Sequence, residues 1–123
     1  RFVLENNHAM VVCPFWSSSP YELLIMPKDH QQHLTDSSDD ALTGVGLAIR
    51  DSLKHLVATL GDIAFNLVFH TAPSHHEGMY HWHAHLFPKL TTTAGFERGT
   101  GVMINIIAPE FAADALRSAA VNA

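Results

Sequence analysis

The sequence predicts an α+β domain: a sheet of about five short strands packed with one long helix and closed by a C-terminal helix. Three observations lead there. Between Tyr80 and Phe87 histidine and apolar residues alternate with a period of two, which an extended strand turns to opposite faces. From Ser37 to Leu60 the period lengthens, and Leu42, Val45, Ile49, Leu53, Leu56 and Leu60 recur at helical spacing as one stripe. Elsewhere the apolar runs are short and bounded by Pro, Gly, Asn or Ser, as strands are.

Along the chain, Arg1 to Leu4 alternates weakly, and the polar cluster Glu5-Asn6-Asn7 turns it toward the run from His8 to Phe15, so the two are expected to pair as a hairpin. Pro14 to Pro20 is a serine-rich loop. Its Phe15 and Trp16 either cap the core, the commoner role, or stand out as an aromatic platform. Leu23 to Met26 reads as a central strand ended by Pro27, with Lys28, Asp29 and His30 at its tip. Ser37, with Asp40 three residues on, is placed to cap the long helix, and Asp39 and Asp40 suit its positive end. Gly44 and Gly46 each weaken a helix by roughly 1 kcal/mol against alanine, so both are expected where helix and sheet approach closely. Gly61 is placed to stop the helix, and His55 is expected on its surface. Ile63 to His70 is the next strand, with Phe65, Leu67 and Phe69 on one face and Asn66, Val68 and His70 on the other. Thr71 to Met79 is a loop whose His75 and His76 either bind a metal or, the commoner case, are solvated. After Pro88, Thr91 to Gly95 and Glu97 to Gly101 form a polar, glycine-bearing segment in which backbone amides can approach a phosphate or a sugar. Val102 to Ile107 reads as a further strand. Pro109 then opens a helix packed through Phe111, Ala112, Ala115, Leu116 and Ala119.

Length and composition bound the function. The 123 residues suit one domain. A net charge of −5 with seven Lys and Arg leaves no basic surface for a nucleic-acid backbone. No apolar run approaches the ~20 residues of a membrane helix, and no signal peptide is visible, so the expected location is cytoplasmic with no membrane partner. Cys13 is the single cysteine, which excludes an internal disulfide and a Cys-rich zinc site. A chain opening on Arg1 is expected to be a trimmed or processed piece of something longer. The ten histidines are the anomaly, and six lie between His70 and His85.

His81, His83 and His85 share one face of their strand at roughly 6.5–7 Å intervals, too far apart to satisfy one another by hydrogen bonds. If the 63–70 strand runs antiparallel beside them, Asn66 and His70 face the same cleft. Two chemistries compete. A neutral imidazole whose second nitrogen is fixed by an acceptor can attack an α-phosphorus, and the middle residue His83 is best placed to be that nucleophile with His81, His85 and His30 in support. Alternatively His70, His83 and His85 supply three nitrogens to zinc or iron, leaving a fourth position for oxygen. A nitrogen bound to metal cannot also attack phosphorus.

His81-Trp82-His83-Ala84-His85-Leu86-Phe87 resembles the His-x-His-x-His-x-x motif of the histidine triad superfamily, and Pro27-Lys28-Asp29-His30 resembles its Pro-Lys-x-His. A resemblance over nearly the whole chain is closer. Phe69-His70-Thr71-Ala72-Pro73, His83-Ala84-His85, Pro88-Lys89-Leu90-Thr91, Ala94-Gly95-Phe96-Glu97-Arg98-Gly99-Thr100-Gly101, Ile104-Asn105 and Pro109-Glu110 are similar to the C-terminal half of galactose-1-phosphate uridylyltransferases and their relatives. That resemblance implies a histidine-triad-like antiparallel sheet covered by helices, two such halves per subunit, and a nucleophile within a His-Pro-His motif of the other half. No His-Pro-His exists here. It further implies that His70, His83 and His85 can hold a metal, and that Glu97, Gly99, Thr100 and Gly101 serve the sugar-phosphate side. This chain keeps all three triad histidines where many relatives replace one.

The expectation is therefore a single domain over residues 1–123, the C-terminal half of a nucleotidyltransferase moving UMP or AMP between a nucleotide sugar and a hexose 1-phosphate. His30 and Asn66 join Glu97 and the glycine segment as substrate contacts, one divalent metal, zinc or iron, is the cofactor, and the chain pairs as a homodimer or with an N-terminal half. The alternatives are a stand-alone nucleotide hydrolase or transferase with His83 as nucleophile, and a non-catalytic half that completes a partner's site.

Overall fold

The structure, a computed structural model, describes residues 1–75, 78–90, 95–119 and 121. Strands β1 (Phe2–Glu5) and β2 (Ala9–Val12) form the expected hairpin. Asn6 builds its turn, because Oδ1 accepts from the amides of His8 and Ala9 at 2.9 Å while Nδ2 donates to the Gly44 carbonyl at 2.8 Å. β3 (Leu23–Pro27) is followed by helix α1 (Asp39–Leu60), then β4 (Phe65–His70) and β5 (His83–Pro88). The strands pair antiparallel throughout in the order β1-β2-β3-β5-β4. The chain thus leaves β3, crosses the sheet in α1, lays β4 at the edge, and returns β5 to the vacant place beside β3.

Helices α1 and α3 (Pro109–Ser118) lie against β1, β2 and β3. Between the layers sit Val11, Leu23, Ile25, Leu56, Trp82, Leu86 and Leu116, each almost wholly buried. A fully buried side chain of this size contributes about 1.5–3 kcal/mol. The side of α1 that faces the sheet is smaller than its sequence stripe suggests: Ala41, Gly44, Val45, Ala48, Ser52 and Leu56 are buried, while Leu42, Ile49, Leu53 and Leu60 pack at the margin. Gly44 is needed there, since a Cβ on it would stand 2.5 Å from the Cβ of His8. Gly46 is not, for it is exposed with no atom within 4 Å of an added Cβ. Gly61 ends the helix at a φ of +82°.

Several expectations are corrected. The helix cap is Ser38, whose Oγ accepts from the Ala41 amide at 3.1 Å, and the neighbouring Ser37 instead receives the Trp82 indole N–H at 2.7 Å. The histidine strand begins at His83, so His81 and Trp82 precede it. The 95–100 segment is a short helix, α2 (Gly95–Thr100), and 102–107 form no strand. α3 buries Ala113 rather than Phe111, which is exposed because it points off the side that meets β1 and α1. His55 is not a free surface residue, since its Nδ1 lies 2.7 Å from the Leu116 carbonyl and ties α1 to α3. Phe15 and Trp16 stand out into solvent, with Arg1 over the Phe15 ring at 5.4 Å. His75 is exposed, whereas His76 and Thr91 to Ala94 lie outside the described residues. No described helix is long and apolar enough to cross a membrane.

Candidate metal centre

Antiparallel pairing sets His70 of β4 directly opposite His83 of β5, with Val68 opposite His85 and Asn66 opposite Phe87. Residues opposite one another project from the same face. Ala84 and Leu86 take the opposite face into the core, which leaves His83 and His85 beside His70 on the face away from the helices. The ring centroids of His70 and His83 are 5.1 Å apart, those of His70 and His85 4.9 Å, and those of His83 and His85 5.0 Å. One nitrogen from each lies within 4.8 Å of the others.

Around a tetrahedral zinc with Zn–N bonds of 2.0–2.1 Å, ligand nitrogens stand about 3.3 Å apart. Small rotations of the rings close the difference, and the donor chemistry fits. Nδ1 of His83 lies 3.0 Å from the His81 carbonyl and Nδ1 of His85 lies 3.2 Å from Oε1 of Glu22. Both acceptors draw the ring proton to Nδ1, so Nε2 keeps its lone pair. Burial, with the neighbouring His83 and His70, holds the pKa of His85 below its ordinary value, although Glu22 pulls the other way. The neutral imidazole is the form that ligates a metal. His70, exposed at the sheet edge, leaves a side open for a fourth ligand.

His81 reaches the same face from just ahead of β5, but its Nε2 is engaged 2.7 Å from the Pro27 carbonyl, and its ring packs edge-on against His30 at 4.9 Å. His30 therefore neighbours His81 rather than the 70–83–85 cluster. A cavity of about 290 Å³ lined by Trp16, Leu24, Met26, His81, His83 and His85 opens over this part of the sheet. A second cavity, about 350 Å³, opens where Asn66 faces Phe87, whose ring stacks on His85 at 5.4 Å, and it brings Asn66 and Glu97 together with Ser18, Ser19, Lys89 and Ile104. Gly99, Thr100 and Gly101 do not line it. They belong to the end of α2, where the Thr100 hydroxyl donates to the Phe96 carbonyl and the Gly101 amide to Glu97. Glu22, Ser18 and Lys89 are site residues that sequence reasoning did not single out.

Residues 1–118 match the galactose-1-phosphate uridyl transferase C-terminal domain. The chain belongs to this family. It is 32% identical to ADP-glucose phosphorylase of Arabidopsis thaliana over 99% of its own length and 36% of that protein's. It superposes on a crystal structure of an Arabidopsis ADP-glucose phosphorylase with bound ADP-glucose at a TM-score of 0.92, with 31% identity over 98% of this chain and 40% of the other. To galactose-1-phosphate uridylyltransferase of Haemophilus influenzae it is 31% identical, over 76% of this chain and 28% of that protein. The chain thus spans about a third of the length of these curated relatives. A zinc-bound histidine triad family protein from Mycobacterium smegmatis shares the fold at a TM-score of 0.70, with 15% identity over 95% of this chain and 81% of the other. The uridyl transferase C-terminal domain is therefore histidine-triad-like in architecture, as its alternating histidines imply.

Proposed function

We propose that this chain is the C-terminal, histidine-triad-like half of a nucleotidyltransferase that moves a nucleoside monophosphate between a nucleotide sugar and a hexose 1-phosphate. Its His70, His83 and His85 hold one divalent metal, zinc or iron. The observation that carries this reading is the convergence of three imidazoles from two adjacent strands, two of them with Nδ1 turned to an acceptor. The metal, when bound, clamps β4 to β5 and offers a Lewis-acidic position beside the substrate. His83 then serves as ligand, and the nucleophile comes from an N-terminal half, as the family resemblance implies. In the second cavity Lys89 faces the anionic phosphates, Asn66 offers an amide to phosphate or sugar oxygen, and Glu97 accepts from a sugar hydroxyl. Family membership supports the reaction class, and the relatives' names support both uridine and adenine nucleotides as candidates.

A partner is also part of the proposal. β4 is an edge strand exposed along nearly its whole length, and Phe65, Val68 and Phe69 stand in solvent. Such an edge invites either a second copy or an N-terminal half. A second functional reading rests on His83 itself: the same Nδ1 contact that suits a ligand also suits a phosphorus nucleophile acting in a stand-alone enzyme.

The protein is incubated with radiolabelled UDP-glucose or ADP-glucose and a hexose 1-phosphate, alone and with an N-terminal half from a relative added. Exchange that requires the added half supports the proposal. Turnover by the chain alone, with an acid-labile protein-bound label lost on His83→Ala and kept on His33→Ala, overturns it in favour of the stand-alone enzyme. No exchange under either condition removes the nucleotidyltransferase reading.

A further inference from the structure

Buried polar side chains need a reason, because burial without full hydrogen bonding is costly. Among the described residues two polar side chains are buried, Ser52 and Glu22. Ser52 is explained locally, since its hydroxyl donates to the Ala48 carbonyl at 2.7 Å within α1. Glu22, 3% exposed and just ahead of β3, has no such helical partner. One carboxylate oxygen, Oε2, accepts from the Ser18 amide at 2.7 Å and, more weakly, from the Ser18 hydroxyl at 3.5 Å. The other, Oε1, meets Nδ1 of His85 at 3.2 Å, across 63 residues of sequence. A buried acid held from behind by a backbone amide and aimed at one imidazole nitrogen is arranged to orient that imidazole.

We infer that Glu22 is a positioning residue for His85: clamped by Ser18, it fixes the ring with its proton on Nδ1 and its Nε2 lone pair turned toward His70 and His83. This rests on the metal reading above for its purpose, though not for its geometry. A carboxylate behind a ligating histidine raises the basicity of the ligand and removes its freedom to swing, and loss of such a partner typically weakens metal binding 10–100-fold. The arrangement also specifies what the substitution Glu22→Gln does. The Ser18 N–H cannot be removed or turned, so the side-chain amide oxygen takes that donor and the NH2 group faces His85. Nδ1 then becomes an acceptor, the ring proton moves to Nε2, and the ligating lone pair is lost.

The test uses protein labelled with ¹⁵N-histidine, with His85 assigned by difference against His85→Asn. Zinc affinity is read by competition with a chromophoric chelator. The expected result is an Nδ1–H tautomer for His85 in the unsubstituted protein, an Nε2–H tautomer in Glu22→Gln, and zinc binding 10–100-fold weaker in that variant. An Nε2–H tautomer in the unsubstituted protein overturns the inference whether or not Glu22→Gln folds. Unchanged tautomer and unchanged zinc affinity in a folded Glu22→Gln also overturn it. If the unsubstituted protein takes up no zinc, the metal reading fails by itself, and the tautomer switch still decides the role of Glu22.

Discussion

Removing the His70 ring is the sharpest perturbation of the proposed centre, because it sits exposed on an edge strand, where truncation to alanine disturbs little packing. A ligand that binds only the folded state stabilises it by about 2.7 kcal/mol when present at 100 times its dissociation constant. The unfolding entropy near 60 °C is about 2.1 cal/mol/K per residue, which over the 123 residues of this chain comes to about 0.26 kcal/mol/K. Zinc at that level is therefore expected to raise Tm by about 10 °C. The ten histidines also give the unfolded chain some zinc affinity, which lowers the shift. His70→Ala and His33→Ala each remove one histidine and share that background, so their difference reports the folded site alone. Differential scanning calorimetry with and without zinc, reversed by a chelator, measures it. The rise is expected to be lost in His70→Ala, leaving no shift or the small fall set by the unfolded chain, and to persist in His33→Ala. Equal shifts in the two variants, or none in the unsubstituted protein, refute a centre built from His70, His83 and His85.

The fold makes further checkable demands. Gly46→Ala is expected to raise stability by about 0.5–1 kcal/mol through helix propensity, whereas Gly44→Ala is expected to lower it by about 1 kcal/mol, because overpacking against the Cβ of His8 outweighs the same gain; urea unfolding midpoints separate the two. Burial pushes the Cys13 thiol from an ordinary 9.0 to about 12, so it is expected to resist a disulfide-exchange reagent at pH 8 and to react on unfolding in urea. Because that folded-state value is raised, the thiol's contribution is intact below pH 9 and is lost above it at about 1.4 kcal/mol per pH unit, until the folded group also titrates near 12, which alkaline denaturation of the protein against Cys13→Ala measures. Trp82→Phe forfeits the indole bond to Ser37 and some core volume, an expected loss of about 2–3 kcal/mol in chemical denaturation.

What the sequence discloses and what it hides divide along physical lines. The alternation from His81 to His85 exposes itself because a strand has a period of two, and the same rule places Asn66 and His70 on the matching face once β4 and β5 are antiparallel. The long helix is equally visible, though its buried side is set by which small residues allow a close approach, as Ala41, Gly44 and Ala48 do. Strand-like composition misleads at Val102 to Ile107, since apolar and β-branched residues form a strand only where their backbone pairs, and here the amides of Val102, Ile104 and Ile107 donate instead to the side chains of Thr100, Glu97 and Asn105. The glycines of 95–101 argue against a helix that nevertheless forms for one turn and a half. Glu22 is hidden for a different reason. Nothing local separates it from any polar residue at a strand start, and its meaning lies in a contact with His85 that only the β3–β5 pairing creates.

The position of the histidine cluster then bears on what the proposed metal would do for the fold. β4 is held to the sheet through β5 alone, and of its side chains Leu67 is the one that packs against the core. A strand so placed gains little from burial, and its ladder bonds stand open to water on the outer side. A cation shared by His70 of β4 and by His83 and His85 of β5, as proposed, would tie the strands by their side chains, where packing does not reach. The exposed Phe65 and Phe69, on the opposite face of the same strand, exceed what a lone domain gains from leaving in water. One strand thus presents a ligand on one face and an apolar surface on the other. In the proposed enzyme, holding β4 in register by metal also holds the surface that a second half would cover, so zinc removal is expected to weaken that pairing as well as to lower Tm. Analytical ultracentrifugation of the chain with an N-terminal half, with and without chelator, reads this directly, and pairing indifferent to zinc would separate the two roles of the strand.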